Sequence, residues 1–321
     1  MHFIGFLLAL PQAFAEDRPA STVDMGMSEV SRTNLDAFSG IRFAPAVLPL
    51  MPRYQAQGSM VGFVDQVDDT LGWNVGASVM DSSTGPVAMG LQVQYATGDA
   101  PLTGDALPGW RLPEEDLVRD FADLGVTAAG AVSFLNRQYA VGMSATYLGR
   151  TYLTRSDSGS LILDFVMDRT EEVRVHQLEL NASTSAKIAD MLVVATGFND
   201  WLGTSGYRRP FVSARFGVID APMRGLYENM GGVEIDLEGA WGQGGFGLGT
   251  VGIAGDVRVS EILLRTGYQY DGVEQLHKPG LGFGLDDGRV SLDYGVQLYL
   301  DSAKTSGILS HWHSVGVRFR I

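Results

Sequence analysis

The stretch RVSLDYGVQLYLDS, Arg289 to Ser302, sorts its residues by parity. Val290, Leu292, Tyr294, Val296, Leu298 and Leu300 are apolar, whereas Ser291, Asp293, Gly295, Gln297 and Asp301 are small, polar or charged. Successive side chains of a β-strand point to opposite faces, so such a strand divides an apolar environment from a polar one. The pattern recurs along the chain. VAMGLQVQYA sets Val87, Met89, Leu91, Val93 and Tyr95 against Gly90, Gln92 and Gln94. LGWNVGASV sets Leu71, Trp73, Val75 and Val79 against Gly72, Asn74, Gly76 and Ser78. VEIDLEGAW sets Val233, Ile235, Leu237 and Trp241 against Glu234, Asp236 and Glu238. In the final HSVGVRFRI, His313, Val315, Val317, Phe319 and Ile321 oppose Ser314, Gly316, Arg318 and Arg320. Period two over about ten residues, repeated many times, marks strands of a membrane barrel.

A soluble sandwich also alternates. Three features favour the barrel. The runs extend over about 10–12 residues, where ordinary strands average about 5–6. Their polar face is dominated by Gly, Ala and Ser, which suits an enclosed interior wall rather than a solvent face. Aromatics (Trp73, Tyr95, Tyr139, Trp241, Tyr268, Tyr270) stand near the ends of the apolar rows, as interfacial girdles do. Composition agrees: 45% of residues are apolar, only 19% are charged, and there are 41 glycines. No cysteine occurs, which excludes disulfides, cysteine-ligated zinc and thiol nucleophiles. The net charge of -14 is diffuse, and Lys187, Lys278 and Lys304 are the only lysines, so nucleic acid is excluded as a partner.

The chain divides into three parts. Residues 1–15 read as an export signal, with the apolar core FIGFLLAL and the cleavage-type AFA. Residues 16–52, apolar and Pro-rich, are too irregular for a spanning strand and are assigned to a plug. Residues 53–321 form the barrel. Both ends of an outer-membrane barrel lie on one side, which requires an even strand count. A tally from Arg53 gives fifteen. The tight turns LNRQ (Leu135 to Gln138) and DDGR (Asp286 to Arg289) belong on the side where short turns collect, so an even number of strands separates them. Assigning SLILDFVMD (Ser160 to Asp168) to a long outer excursion restores parity. The result is an all-β, 14-stranded antiparallel transmembrane barrel, bracketed by 12–16, with an N-terminal plug. The strands fall approximately at 53–67, 71–80, 87–97, 125–135, 138–154, 174–185, 190–201, 210–219, 232–241, 246–257, 261–271, 279–285, 289–300 and 311–321. In the segment 98–124, Leu117, Val118, Phe121 and Leu124 have helical spacing behind Pro113, Glu114 and Glu115, so an amphipathic helix is expected over the barrel mouth.

The C-terminal third, EILLRTGYQYDGVEQLHKPGLGFGLDDGRVSLDYGVQLYLD…HSVGVRFRI, resembles the long-chain fatty-acid transporter (FadL-like) superfamily, most closely its PorV/PorQ-type branch. The matching pieces are Arg265, Gly267 and Tyr268; Gly282 and Gly284; Leu292, Asp293 and Tyr294; and Arg318 with Phe319. Met25 to Met27 and DAFSGIRFAPAVLPLMPRY resemble that family's opening and plug segment, with Ala44 where the family has Asn before Pro45. Ile321 stands in place of a terminal aromatic. The resemblance implies a 14-stranded barrel with an N-terminal plug.

Site chemistry is sparse. His311 and His313 share a strand face, but no third ligand is evident, so no metal is assigned. Glu234, Asp236 and Glu238 form an inward acidic ladder, expected to pair with Arg215, Arg265, Arg318 and Arg320 as a lumen charge network, because buried charges persist only when paired. Ser314 and His313 face opposite ways, so that pair makes no hydrolase. GQGGFGLG (Gly242 to Gly249) has no helix behind it for a phosphate cradle and reads as a flexible loop. No catalytic group and no cofactor are expected. The expected function is passive uptake of small hydrophobic, fatty-acid-like molecules across the outer membrane of a Gram-negative bacterium. Trp110, Leu112, Leu117 and Phe121 would catch the ligand at the outer mouth, and the plug residues Phe43, Pro45 and Leu48 would then move. The alternative is a non-transporting scaffold or secretion-accessory barrel that binds exported proteins through the excursion at 155–173, by strand addition. The partners are therefore outer-membrane lipid and either a hydrophobic small molecule or an exported protein.

Overall fold

A computed structural model describes residues 22–34, 39–65, 70–99, 119–156, 169–188, 191–203, 207–218, 221–223, 226–228, 231–242, 245–273, 275–301 and 308–320. The wall begins with β1 (Tyr54–Asp65), β2 (Thr70–Asp81), β3 (Val87–Asp99), β4 (Arg119–Phe134), β5 (Tyr139–Ser156), β6 (Arg169–Ile188), β7 (Leu192–Asn199) and β8 (Arg209–Val218). It continues with β11 (Gly231–Gly242), β12 (Gly245–Val259), β13 (Ile262–Asp271), β14 (Leu276–Asp286), β15 (Val290–Asp301) and β16 (Ile308–Arg320). Between β8 and β11, the short strands β9 (Ala221–Met223) and β10 (Leu226–Glu228) pair only with each other. Each wall strand pairs antiparallel with its neighbours, and β1 closes on β16, giving a closed barrel of fourteen strands. Closure leaves no sheet edge in the wall, the condition for β-structure in a lipid environment.

All fourteen strands overlap the ranges that the period-two pattern gives them, though β4 begins at Arg119 rather than 125 and β6 at Arg169 rather than 174. Two local readings are corrected. Phe121 and Leu124 belong to β4, not to a helix: Phe121 pairs with Gly98 on β3 and Tyr152 on β5. A two-sided ladder satisfies every backbone group there, and a few apolar residues at helical spacing cannot outweigh it. The Gly242 to Gly249 stretch is also mostly strand. β11 runs to Gly242 and β12 resumes at Gly245, whose φ of 110° makes the tight reversal that glycine permits. The export signal, the Ser160 to Asp168 excursion and residues 100–118 lie outside the described residues.

The parity rule also assigns the faces. Val233, Ile235 and Leu237 are exposed on the outside, as are Leu292, Tyr294, Val315 and Phe319. Trp73, Tyr95, Tyr139, Trp241 and Tyr268 also stand outside. Inside, Glu234, Asp236, Arg215 and Arg318 are buried. A soluble protein does not present so continuous an apolar exterior around a charged interior.

The N-terminal segment fills the interior. Helix α1 (Thr22–Gly26) lies against β13 to β16. Helix α2 (Ser39–Phe43) and a 3-10 helix (Pro45–Leu50) lie against β3 to β6. Val23, Met25, Met27, Val30, Ile41, Ala46 and Leu50 are completely buried. Small wall residues are the seat for this segment. A Cβ at Gly267 would stand 2.3 Å from the Met27 carbonyl oxygen, and one at Gly142 would stand 2.6 Å from the Ala46 nitrogen. Backbone thus lies directly on backbone, and Ser183 and Ser185 hydrogen-bond the Ala46 N–H and C=O at 3.0 and 2.7 Å.

Gly267→Val is therefore expected to displace the α1 end of the plug while the wall ladder stays closed. Hydrogen exchange over residues 22–30 checks this: protection there should fall at least about tenfold, with β-strand protection and heat-modifiable gel migration retained.

Candidate functional site: a plugged, charge-lined lumen

Glu234, Asp236 and Glu238 alternate with apolar residues on β11, so all three carboxylates enter the lumen together. Their main cation comes from the plug. Arg32, in the turn after α1, places Nη1 at 2.6 Å from Asp236 Oδ2 and Nη2 at 2.5 Å from Glu238 Oε2. One planar guanidinium thus bridges two neighbouring carboxylates, a geometry its fork of donors suits. The next residue completes the attachment: the Thr33 N–H donates to Glu234 Oε1 at 2.7 Å, and Ser213 Oγ donates to the same oxygen at 2.9 Å. The Arg32 guanidinium also lies 5.0 Å from the Phe211 ring centre and 5.7 Å from that of Phe43. Wall groups support the ladder from behind. Arg215 is 3.9 Å from Glu234 and pairs with Asp256. Arg209 is 3.8 Å from Glu238, and Asn199 Nδ2 donates to Glu238 Oε2 at 3.1 Å.

A second attachment lies across the lumen. Arg42 of α2 pairs with Glu179 of β6 at 2.7 Å, and its own carbonyl accepts from Ser144 Oγ and Asn181 Nδ2 at 2.6 and 2.9 Å. The third cluster joins strands of the wall. Asp286 is 2.9 Å from Arg320, 3.6 Å from Arg318 and 3.7 Å from Arg258. Asp293 is 2.7 Å from Arg265 and 3.6 Å from Arg318. The expected network therefore resolves into two. Of the arginines expected to neutralise the acidic ladder, Arg215 does so. Arg265, Arg318 and Arg320 serve Asp286 and Asp293 instead. Register explains the division: Arg215 stands opposite Glu234 on the adjacent strand, while the other three lie on β13 and β16.

Toward the end of the barrel where β15 ends and β16 begins, the lumen is aromatic. The Phe63 and Trp312 rings stack at 4.5 Å, and Tyr299 lies 5.4 Å from Trp312. Met25 of the plug and Val61 complete the cluster. Lys278 sits beside it, 5.2 Å from the Tyr299 ring, 3.3 Å from Asp271 and 3.9 Å from Glu29 of the plug. Tyr299 Oη donates to Glu29 at 3.1 Å. These aromatics were missed in the sequence, although they carry a signal: Phe63, Tyr299 and Trp312 stand on the polar parity of their strands.

The remaining sequence candidates are dispersed. Phe43 is held next to Arg42, 4.6 Å from its guanidinium. Leu48 is buried with Ile41, Met80 and Ala88, and Pro45 rests on Gly142. Phe121 is in the wall, and Trp110, Leu112 and Leu117 lie outside the described residues. His313 Nδ1 meets the Tyr294 hydroxyl at 2.6 Å on the outer face, with the His311 ring 5.3 Å away. Among the described residues no group of three His, Asp or Glu is placed to hold a metal ion. Ser314 faces inward and bonds Thr22 at 2.7 Å.

A wall closed on itself, apolar outside and filled by its own N-terminal segment, defines a plugged barrel of the outer-membrane type. Solved structures agree on the fold. The chain is similar to a Pseudomonas aeruginosa FadL homologue, with a TM-score of 0.61 at 9% identity over 94% of this chain and 98% of that one. Looser likenesses are to Acinetobacter baumannii outer membrane protein Omp33 (TM-score 0.44, 11% identity, covering 85% and 100%) and to a Rhodopseudomonas blastica porin triple mutant (0.38, 12%, 84% and 99%). No protein-family model and no curated protein matches the sequence.

Arg32→Ala leaves two buried carboxylates without their shared cation, and such losses typically cost about 3–5 kcal/mol. Chemical denaturation in detergent should show that loss in plug docking. The double variant with Asp236→Asn and Glu238→Gln should recover part of it, since the unpaired charges are then gone.

Proposed function

We propose that this chain is an outer-membrane barrel for passive uptake of small hydrophobic molecules in a Gram-negative bacterium. The observation that carries the reading is the internal plug beside an inward-facing aromatic cluster. A lumen filled by the chain's own N-terminal segment, joined to β1 and otherwise held by non-covalent contacts, is closed at rest and opens by moving that segment. Phe63, Tyr299 and Trp312 offer an apolar surface on the path, and Lys278, paired with Asp271 and with Glu29 of the plug, lies beside it. The mouth residues Trp110, Leu112, Leu117 and Phe121 would receive the ligand first, and Phe43 and Leu48 would shift with the plug. The fold likeness to a FadL homologue supports this use of the barrel by analogy.

A second reading is favoured by one feature. β5 and β6 have 18 and 20 residues, whereas β7 has 8 and pairs with β6 only over Ala182–Ile188. The β5–β6 ribbon therefore stands above the β7 rim, where an exported protein could dock. That is the scaffold use to which the PorV/PorQ-type resemblance points.

Proteoliposome flux of the fluorescent probe 1-N-phenylnaphthylamine separates the two. Uptake requires entry above that of empty vesicles, a rise in rate for Arg32→Ala, and a fall of about tenfold for Phe63→Ala with Trp312→Ala, given the usual worth of buried aromatic contacts. A sealed barrel with both variants silent would overturn uptake and leave the scaffold.

A further inference from the structure

The lumen has two electrically different sides. β11 to β16 carry inward Glu234, Asp236, Glu238, Arg265, Asp286, Asp293 and Arg318. β1 to β3 turn no charged side chain inward over residues 55–64 and 71–98. Their inward positions are amides, hydroxyls, glycines and a few apolar groups. Register aligns the polar ones into a hoop: Gln57 stands opposite Ser78, Ser78 opposite Gln92, Gln92 opposite Thr127, and Thr127 opposite Thr146. Thr127 and Thr146 hydroxyls bond each other at 2.9 Å. Asn74 lies four residues from Ser78 on β2, on the same face.

The amides of this face are not satisfied by the protein. Gln57, Asn74 and Gln92 are 6%, 4% and 2% exposed, yet Gln57 Oε1, Asn74 Oδ1 and both amide atoms of Gln92 have no hydrogen-bond partner. Buried polar atoms are ordinarily paired, because an unpaired one carries the full desolvation penalty. The plug does not supply the partners. Helix α1 lies on β13 to β16 and touches β1, and α2 and the 3-10 helix contact β3 to β6, with Ile41 against Gly90. None of these contacts gives a partner to Gln57 Oε1, Asn74 Oδ1 or either amide atom of Gln92. A carboxamide presents a donor and an acceptor side by side, which matches adjacent hydroxyls of a polyol. Arg318, which stands opposite Gln57, is held by Asp286 and Asp293, so this face offers no unpaired charge to an ion.

We propose that the inward face of β1 to β3, centred on Gln57, Asn74 and Gln92, is a binding track for small uncharged polyhydroxylated solutes. It adjoins the aromatic cluster assigned above to hydrophobic ligands, where Val61 stands opposite Asn74, but is formed by different side chains.

The test uses the full chain in detergent and the sugar glucose, with gluconate as its charged counterpart of similar size. Saturation-transfer NMR reads weak binding directly, and does not require the plug to open. Glucose should receive saturation and gluconate should not. Gln57→Leu with Gln92→Leu should cut the glucose signal about tenfold, as expected for removing several hydrogen bonds. Heat-modifiable migration confirms that the variant is folded, and Gln92→Met, which keeps the volume, gives the reading if the double variant does not fold. Phenylnaphthylamine flux should be unchanged in all of them, so a failure of hydrophobic uptake and a failure of this site are read separately. Equal signals from glucose and gluconate, no signal, or a glucose signal indifferent to the substitutions would overturn the proposal.

Discussion

A ring of fourteen strands is too wide for wall side chains alone to fill, and the rest of this structure answers that constraint. The chain supplies its own filling in residues 22–34 and 39–51, and the wall is adapted to receive them. Small inward residues let plug backbone touch strand backbone at Gly142 and Gly267. Serines at 183 and 185 serve plug peptide groups that would otherwise be buried without partners. Inward carboxylates on β6 and β11 receive the plug arginines. Each of these is a polar or steric solution to placing an irregular segment where no bulk water satisfies it.

The wall was legible in the sequence because one rule governs it throughout. Lipid on one side and an enclosed lumen on the other force period two, and a one-residue slip would exchange the faces. Val290 to Leu300 and Val233 to Leu237 therefore announced both strand and orientation. The parity requirement then set the count where propensity alone could not. The contacts of the site were less legible, since they join residues far apart in the chain. Nothing near Arg32 indicates that its partners lie at 236 and 238. In the sequence the glycine-rich inner face indicates only an enclosed wall, whereas Gly142 and Gly267 are small because the plug lies on them. The helix expected through Phe121 failed because Leu117, Val118, Phe121 and Leu124 fit a helical stripe, while the ladder partners that decide the matter, Gly98 and Tyr152, are remote. Phe63, Tyr299 and Trp312 could have been found. An aromatic residue on the polar parity of a barrel strand breaks the rule that the rest of that strand obeys, and such exceptions mark places where the lumen does something specific.

The ion pairs of the lumen divide the labour. Among the described residues, Asp286 and Asp293 gather Arg258, Arg265, Arg318 and Arg320, all from the wall between β12 and β16. Most of these pairs reach across one intervening strand (β12 to β14, β13 to β15, β14 to β16), up to the strand on which β1 closes. Plug and wall are joined through different groups: Arg32 to β11, Arg42 to β6, and Glu29 to Lys278 on β14. The three attachments stand on β6, β11 and β14, three strands apart along one half of the ring. Because the plug's charges are distinct from those that brace the closure, the movement of the plug that the proposed uptake requires would break no wall pair or ladder bond. Its departure would uncover the Glu234–Asp236–Glu238 ladder with Arg215 and Arg209 beside it, partly neutralised already. A charge that remains half-compensated is cheaper to expose than an isolated one. The wall arginines behind the ladder thereby lower the cost of an open lumen, while Arg32 in front of it favours the closed one.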